Sequence, residues 1–308
     1  MECGVDMAGA LGDVMLQVRA QMRDGAGRSS NALAVPSAAD RDAFAARVVD
    51  VLGGNDQAAC VLPPPYKLIR LVDPQAGPLR VVVEQPAASL FYGTYAAKLA
   101  APRALAVEAP HPIADTDTEL QATAVFVQTG ARFLSVAGSH RCADREASAC
   151  SGTTAVCNDD DTAPAAPFRI SDAAHTEQLP FFRIHALQSD RDPKLLFLQL
   201  HGNASAACPD ALVSDSSGAW SDSGAAARLG AALAARGASV GKCGMGFPVV
   251  GCDLCGTDNV EARETNGAND ACTENGTSSG RFVHVEQHGA LRQAPYQVMI
   301  DAVREAFK

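Results

Sequence analysis

Three hydrophobic runs in this chain lead into side chains that can bind a metal ion or move a proton. The first continues into His111-Pro112-Ile113-Ala114-Asp115, the second is Leu196-Phe197-Leu198-Gln199-Leu200-His201, and the third is Phe282-Val283-His284-Val285-Glu286. Two imidazoles and a carboxylate can hold Zn²⁺ with one coordination position left open, and a separate carboxylate can act as a base on a water bound there. These residue types make a metal-dependent hydrolase the leading hypothesis.

The metal ligands predicted from this pattern are His111, His201 and one nearby acid. His201 is the stronger candidate, because an imidazole that ends a buried strand needs a partner. A lone loop histidine such as His111 is more often a capping residue than a ligand, but here acids follow it and a second strand-end histidine accompanies it. Asp115, Asp117 and Glu119 are all within reach, and we favour Asp115.

Glu286 is the predicted catalytic base. Side chains alternate between the two faces of a strand, so Phe282, His284 and Glu286 are expected to share one face. A glutamate in a buried strand is costly unless it is paired or functional. Beside a metal it could take a proton from water and pass it to the leaving amine. The alternative is a structural ion pair with Arg281 or Arg292.

Composition limits the partners and the compartment. The 308 residues are 47% hydrophobic and carry a formal net charge of −10, which argues against nucleic acid as the main partner. No apolar run is long enough to span a membrane, and no signal peptide is visible in the chain as given. The ten cysteines lie mostly in polar loops. They predict disulfides in an exported protein, extracellular or periplasmic.

Alternating strand and helix patterns predict an α/β fold, with three α/β/α layers, a mostly parallel mixed central sheet and long cysteine-containing loops. Ligands of such sheets gather at the carboxyl ends of strands, where the two histidines fall. We expect an N-terminal helical and strand extension at 1–100, packed on a main α/β domain at 101–308. The predicted helices cover 11–22, 38–52, 116–129, 225–236 and 295–307, and the predicted strands cover 66–72, 79–84, 103–109, 132–137, 194–200 and 281–287.

The order of these motifs resembles the zinc-dependent exopeptidase and amidohydrolase superfamily, in particular its N-formylglutamate amidohydrolase and poly-γ-glutamate hydrolase branch. The resemblance covers about residues 100–308. Its matching pieces are Ala109-Pro110-His111, Ser139-His140-Arg141, Ser171-Asp172-Ala173-Ala174-His175, Gln199-Leu200-His201-Gly202 and Val283-His284-Val285-Glu286.

This resemblance implies Zn²⁺ on His111, an acid and His201, with Glu286 as the base. It also implies an arginine that holds a substrate carboxylate, and a guanidinium suits that task because it offers two parallel donors. Arg141 is placed best by chain order. Arg263 is the second candidate, with Asn266 in the same segment as a further substrate-binding residue.

The implied activity is cleavage of an amide bond beside a carboxylate, in an N-acyl amino acid or a γ-glutamyl or peptide substrate. The enzyme would be an amidohydrolase or a carboxypeptidase-like peptidase. The spacing from His111 to Asp115 differs from the histidine, two residues and glutamate of the carboxypeptidases, so the acid ligand stays open.

Two other functions remain compatible with the sequence. The first is an exported, non-catalytic binding domain of the same fold, which would pair Glu286 away from the histidines. The second is a cell-wall amidase, which would need an open groove rather than a small arginine-lined pocket. A four-thiolate zinc site around Cys252 and Cys255 is weakly supported, because the outer cysteine spacings are irregular. No Gly-x-Ser-x-Gly motif for a serine nucleophile is present.

Overall fold

A ten-stranded mixed sheet organises the molecule. The computed structural model describes residues 3–85, 90–158, 163–244 and 252–308. A separate two-stranded sheet joins β7 to β8. The strands are β1 Val5–Ala8, β2 Tyr66–Asp73, β3 Gly77–Glu84, β4 Thr94–Ala97, β5 Leu105–Ala109, β6 Phe133–Val136, β7 Thr153–Thr154, β8 Ala166–Pro167, β9 Leu196–Gly202, β10 Ala211–Ser214, β11 Val240–Lys242 and β12 Phe282–Gln287.

The strand order places the candidate residues side by side. It runs β1-β2-β3-β4-β6-β5-β9-β12-β10-β11, and five of its nine neighbouring pairs are parallel. The strands β6, β5, β9 and β12 form a continuous parallel block at the centre. Their carboxyl ends therefore meet at one edge, and this is the edge that holds His111, His201 and Glu286.

Helices cover both faces of the sheet and give the three layers that the sequence predicted. Helices α1, α3, α5 and α7 pack on one face in a single apolar cluster, and α2, α4 and α6 cover the other. The helices are α1 Leu11–Gly25, α2 Ala38–Leu52, α3 Thr118–Thr129, α4 Pro180–Arg191, α5 Ala225–Ala234, α6 Val260–Thr265 and α7 Gln297–Ala306. The α2 cap agrees with the sequence pattern, since Ser37 Oγ accepts the Asp40 N–H.

Alternation along the central strands separates an apolar face from a face that carries polar groups. Leu198 and Leu200 of β9 join the cluster beneath α3, α5 and α7, as do Val283 and Val285 of β12. The side chains between them point to the opposite face, where Phe197 and Phe282 pack with Ala262 of α6. Gln199 and His201 belong to this second face by the same period, as do His284 and Glu286. The predicted shared face of Phe282, His284 and Glu286 is confirmed.

The first hundred residues add strands to the same sheet. β2 pairs antiparallel with β3, β3 with β4, and β4 with β6 of the central block. The boundary predicted at residue 100 stays a prediction, and the ladder of hydrogen bonds continues across it. Within the described ranges, every helix is too short or too polar to cross a bilayer.

All ten cysteines are paired. Five disulfides agree with the cysteine-containing loops that the sequence predicted, and such bonds persist in an oxidising environment. The pairs are Cys3–Cys60, Cys142–Cys157, Cys150–Cys272, Cys208–Cys252 and Cys243–Cys255.

Removing the pair that closes the longest stretch of chain should destabilise the fold. Cys150 and Cys272 are 122 residues apart in sequence. Replacing both by serine is expected to lower the free energy of unfolding by about 2–5 kcal/mol, because the unfolded chain regains conformational freedom. Urea unfolding under non-reducing conditions measures this change. The matched control replaces Cys3 and Cys60, which close a shorter loop of 57 residues and should cost less. An equal or smaller cost for the 150–272 pair would contradict this account.

Candidate metal centre

A tight turn after β5 brings His111 and Asp115 together. The Asp115 N–H donates to the His111 carbonyl at 2.9 Å, so the five residues close on themselves in spite of Pro112. The turn requires Ile113 to adopt φ 58°, a left-handed conformation that is unfavourable for a β-branched residue. Such strain persists only where the surrounding structure enforces it, and it is frequent at functional sites.

Strand β9 delivers the second histidine and a backbone donor. His201 is the penultimate residue of the strand, and the next residue, Gly202, donates its N–H to Asp115 Oδ2 at 3.0 Å. A Cβ at position 202 would lie 2.4 Å from the Arg292 guanidinium carbon, so the end of the Arg292 side chain would have to move to admit a larger residue.

Three donor atoms from these segments converge in a small buried volume. His111 Nδ1 lies 3.2 Å from His201 Nδ1 and 3.2 Å from Asp115 Oδ2, and His201 Nδ1 lies 3.8 Å from the same Asp115 oxygen. All three side chains are buried. Zn–N distances of about 2.0–2.1 Å with tetrahedral angles would separate two ligand atoms by about 3.3–3.4 Å. The spacing fits a single ion bound between them.

The outer nitrogens of both imidazoles have acceptors. His111 Nε2 lies 2.7 Å from Asp172 Oδ1, and His201 Nε2 lies 2.7 Å from Gln199 Oε1. With protons on both Nε2 atoms, the two Nδ1 lone pairs point at each other and at the Asp115 carboxylate. Metal-binding histidines commonly hold their second nitrogen in this way. The donor set therefore fits a cation.

Asp172 connects the histidine to the candidate substrate arginine. Its Oδ1 also accepts a hydrogen bond from His175 Nδ1 at 2.8 Å. Its Oδ2 accepts hydrogen bonds from Arg141 Nε and Nη2 at 2.9 and 2.6 Å. Burial alone would raise the pKa of Asp172. The charges of Arg141, His175 and His111 outweigh it and hold that pKa well below its usual value.

Glu286 faces the same space from the neighbouring strand. It is the register partner of His201 in the parallel β9–β12 pair. Its Oε1 lies 3.7 Å from His284 Nε2, while Oε2 makes no hydrogen bond with any described residue. Burial first, and then the charge of Asp115, raise the pKa of Glu286 to about 8. A nearby cation would lower it again.

Neither arginine of the structural alternative comes within ion-pair distance of Glu286 in the described ranges, although the charge of Arg292 lowers the pKa of Glu286. Arg281 donates to Ser189 and to the Leu195 carbonyl, and Arg292 donates to the Thr116 carbonyl. No ion pair joins either arginine to Glu286 within the part of the chain that the structure describes.

The histidines, Glu286 and Arg141 line one cavity of about 190 Å³. Its walls come from two loops that disulfides hold, and its floor is the edge of the sheet. Arg141 Nη1 makes no hydrogen bond with the described residues, so this donor can serve a ligand. The cavity lining is His111, Arg141, Thr153, Thr154, Val156, Phe168, His175, His201, Asp253, Leu254, Gly256, Asp258, Asn259, His284 and Glu286.

The other two acids that the sequence left open lie elsewhere. Asp117 precedes α3 and pairs with Arg19 at 2.6 Å, and Glu119 pairs with the same guanidinium at 2.9 Å. Of the three acids, only Asp115 is grouped with His111 and His201.

The structure does not bring Arg263 and Asn266 to the cavity. Arg263 donates to the carbonyls of Thr257, Ala271 and Cys272, which fixes the loop that follows α6. Asn266 donates to the Asp215 carbonyl and accepts from Ser279. Both side chains hold backbone around the disulfide-linked loops, whereas Arg141 lines the cavity.

Sequence reasoning did not assign roles to several residues that complete the centre. Asp172 and His175 stood in a quoted motif, and their spacing of three residues in a short turn was an available signal. Gln199 lies two residues before His201, which places both on one face of β9. Asp258 lies 3.4 Å from His175 Nε2, and no local pattern pointed to it.

A second buried polar layer lies directly beneath the centre. Glu108 of β5 is the register partner of Gln199, and both are fully buried. Glu261 of α6 approaches the same amide, with its Oε2 3.4 Å from Gln199 Nε2. Burial, and then the charge of Glu108, raise the pKa of Glu261 well above its usual value.

Comparisons with known proteins find distant structural neighbours. No family model and no curated protein matches the chain. N-formylglutamate amidohydrolase from Ralstonia eutropha JMP134 has 12% identity and a TM-score of 0.43, covering 70% of this chain and 94% of that one. A candidate carboxypeptidase A from Shewanella denitrificans OS-217 has 15% identity and a TM-score of 0.35, covering 80% and 66%. A candidate metallopeptidase from Shewanella denitrificans OS217 has 14% identity and a TM-score of 0.29, covering 86% of both chains.

These similarities are too distant to carry a fold or a chemistry to this chain. The fold rests on the sheet described above, and the case for a metal centre rests on the distances between the side chains themselves.

The raised pKa of Glu261 predicts a pH-dependent effect of Glu261→Gln. A carboxyl group with a raised pKa in the folded state costs stability as pH rises from its unfolded value through its folded value. The neutral amide removes this cost. Glu261→Gln should therefore gain stability over the wild type as pH rises above the usual glutamate pKa of about 4.3, by up to about 1.4 kcal/mol per pH unit. Urea unfolding across this range measures the difference.

The control for this prediction is Glu264→Gln on the same helix, whose side chain is only partly buried. It should follow the wild-type pH profile. If the free energies of unfolding of the wild type and of Glu261→Gln changed with pH in parallel, ionised Glu261 would not be destabilising.

Proposed function

We propose that this protein is a metal-dependent hydrolase that cleaves an amide bond next to a carboxylate in a small substrate. His111, Asp115 and His201 would hold the ion, and Zn²⁺ suits this mixed nitrogen and carboxylate set. Glu286 would be the base, and Arg141 would bind the substrate carboxylate.

One observation carries this proposal. Two imidazole Nδ1 atoms and a carboxylate oxygen lie 3.2–3.8 Å apart in a buried space, while both outer nitrogens face acceptors. The alternative occupant of this space is a proton on His111 Nδ1. Without a cation or a proton there, the inward lone pairs would repel each other in a medium of low dielectric.

A bound Zn²⁺ would polarise the substrate carbonyl and acidify water. Glu286 would accept a proton from the attacking water as its oxygen bonds to the amide carbon. The same carboxyl group would then donate this proton to the leaving nitrogen as the carbon–nitrogen bond breaks. Glu286 Oε2 is suited to this exchange because it makes no hydrogen bond with the described residues, although the Asn203 side chain is close enough to lower the pKa of Glu286.

Arg141 would position the substrate through its free Nη1. Asp172 fixes the other two donors of the guanidinium, so the arginine is already oriented before a substrate arrives. Since Asp172 also holds His111, the distance between the cleaved bond and the substrate carboxylate would be set by one rigid group.

The cavity size favours a small substrate over a polymer. Its volume of about 190 Å³ is below the range of about 300–1,000 Å³ typical of drug-sized ligands. An N-acyl amino acid or the end of a γ-glutamyl or other peptide fits this description better than a muropeptide strand. The five disulfides agree with an extracellular or periplasmic location for such an enzyme.

Metal content tests the centre directly. We expect about one zinc per chain in the purified wild type and none above background in His201→Ala, because two remaining ligands bind zinc poorly. Elemental mass spectrometry measures this.

Glu286→Gln is the companion variant. It should keep its zinc and lose turnover of N-acyl amino acids and γ-glutamyl dipeptides by about 10²–10⁴-fold. A wild type that stays free of metal after zinc is supplied would refute the hydrolase proposal.

Substitution of the two candidate arginines should have different effects on KM. Arg141→Lys is expected to raise KM for N-formylglutamate about 10- to 100-fold, since a charge-assisted hydrogen bond is worth about 1.5–3 kcal/mol. Arg263→Lys should lower thermal stability and leave KM within twofold, because its partners are loop carbonyls. If Arg263→Lys alone raised KM, the substrate carboxylate would lie at Arg263 instead.

A further inference from the structure

The buried layer beneath the metal centre contains a chain of hydrogen bonds that ends on a metal ligand. Gln199 stands between Glu108 of β5 and His284 of β12 in the sheet register, two residues before His201. It has no exposed surface, and neither does Glu108. A buried amide must satisfy both its oxygen and its NH₂ group, so its orientation is decided by its neighbours.

The oxygen of Gln199 faces donors. Oε1 lies 2.7 Å from His201 Nε2 and 2.5 Å from Asn259 Nδ2. The Asn259 amide is itself fixed, because its Oδ1 accepts the Ala262 N–H and caps α6. His201 therefore meets an acceptor at Nε2 and must carry its proton there.

The nitrogen of Gln199 faces acceptors. Nε2 lies 3.1 Å from Glu108 Oε2 and 3.4 Å from Glu261 Oε2. Asn259 Nδ2 can only donate and already fixes Oε1 on the His201 side, so the NH₂ group must point toward Glu108. Turning the amide over would place its oxygen against the Glu108 carboxylate and its NH₂ group against the His201 proton.

Glu108 is anchored from its other oxygen. Oε1 lies 2.9 Å from His185 Nδ1, and His185 Nε2 lies 2.7 Å from Thr265 Oγ1. Thr265, His185 and Glu108 follow one another like the nucleophile, base and acid of a catalytic triad. All three are buried and none lines the cavity beside the metal centre, so their hydrogen bonds hold the Glu108 carboxyl group in place.

We infer that Gln199 is a positioning residue for the metal centre and that Glu108 acts through it. Glu108 orients the amide, the amide keeps His201 as the Nε2–H tautomer, and the Nδ1 lone pair is thereby directed at the metal position. This inference rests on the proposed function, because it assumes that the position holds a metal. It adds that two buried residues, Gln199 on β9 itself and Glu108 on the neighbouring strand β5, set the affinity for that metal.

The test measures zinc affinity by competition with a chromophoric chelator. Gln199→Leu keeps the approximate shape of the side chain and removes its hydrogen bonds. It should weaken zinc binding about 10- to 100-fold, the usual effect of losing a partner of a metal ligand. Gln188→Leu on α4 is the matched control, since this glutamine is also buried but makes no side-chain hydrogen bond with the described residues. It should leave zinc affinity unchanged.

A double-mutant cycle tests whether Glu108 acts through Gln199. Glu108→Gln should weaken zinc binding several-fold in the wild-type background and have almost no further effect in Gln199→Leu. If the two residues acted independently, the fold-changes in zinc affinity of the two single variants would instead multiply in the double variant. A multiplicative result, or a Gln199→Leu affinity within twofold of the wild type, overturns the inference.

A second measurement needs no substitution of Gln199. Nitrogen-15 NMR of the metal-free protein reports which nitrogen of each imidazole carries the proton, and loss of a signal in His201→Asn assigns the residue. His201 should be the Nε2–H tautomer, and finding the proton on Nδ1 would overturn the inference even if Gln199→Leu failed to fold. Absence of zinc binding to the wild type would defeat the proposed function, whereas tight wild-type binding without a Gln199 effect would defeat this inference alone.

Discussion

The buried carboxylate of Asp172 is the interaction on which the candidate site depends. It holds the candidate metal ligand His111, a second histidine and the cavity arginine at once. A buried carboxylate is costly unless its charge is compensated and its lone pairs are bonded, and here both conditions are met by groups that also have tasks in the cavity. The same contacts that make the burial of Asp172 tolerable therefore fix His111 relative to Arg141.

The sheet supplies the second constraint. Because β5, β9 and β12 are parallel and adjacent, residues in register form rows across the face that α4 and α6 cover. Glu108 and Gln199 form a deep row with His284, and His201 with Glu286 forms the next row toward the cavity. Glu108 and Gln199 of the deep row can orient the groups of the upper row without lining the cavity, whereas His284 does line it. A rigid sheet is better suited to this arrangement than loops are.

Loops complete the cavity, and disulfides limit their freedom. Residues between Cys142 and Cys157 and between Cys252 and Cys255 line the cavity outside the central sheet and the helices, namely Thr153, Thr154, Val156, Asp253 and Leu254. Short covalent loops have little conformational entropy to lose when a ligand binds. Such walls can therefore keep a small cavity defined in a region that has little regular secondary structure.

The sequence by itself determined the elements whose patterns are strong, together with the residues that lie on them. The runs before His111 and through His201 and Glu286 were identified as strands because their apolar residues dominate, and the period of two placed His284 with Glu286. The strands β1, β4, β7, β8, β10 and β11 were not predicted, because segments of four residues or fewer contain too little of any period, and helix α4 was not predicted either. Helix α6 was missed for a different reason. Its Glu261 and Arg263 are buried, but their polar side chains are typical of exposed residues.

Only the tertiary structure selected among residues that the sequence left equivalent. Asp115, Asp117 and Glu119 are neighbours in sequence, and the ion pairs of Arg19 separate the last two from the first. Arg141 and Arg263 are chemically identical, and they differ in whether loop carbonyls occupy their donors. Asp172 and Gln199 are assigned by contacts with residues up to about 90 positions away. Periodicity reports how one element is buried, whereas these assignments depend on distances between elements, which local sequence does not encode.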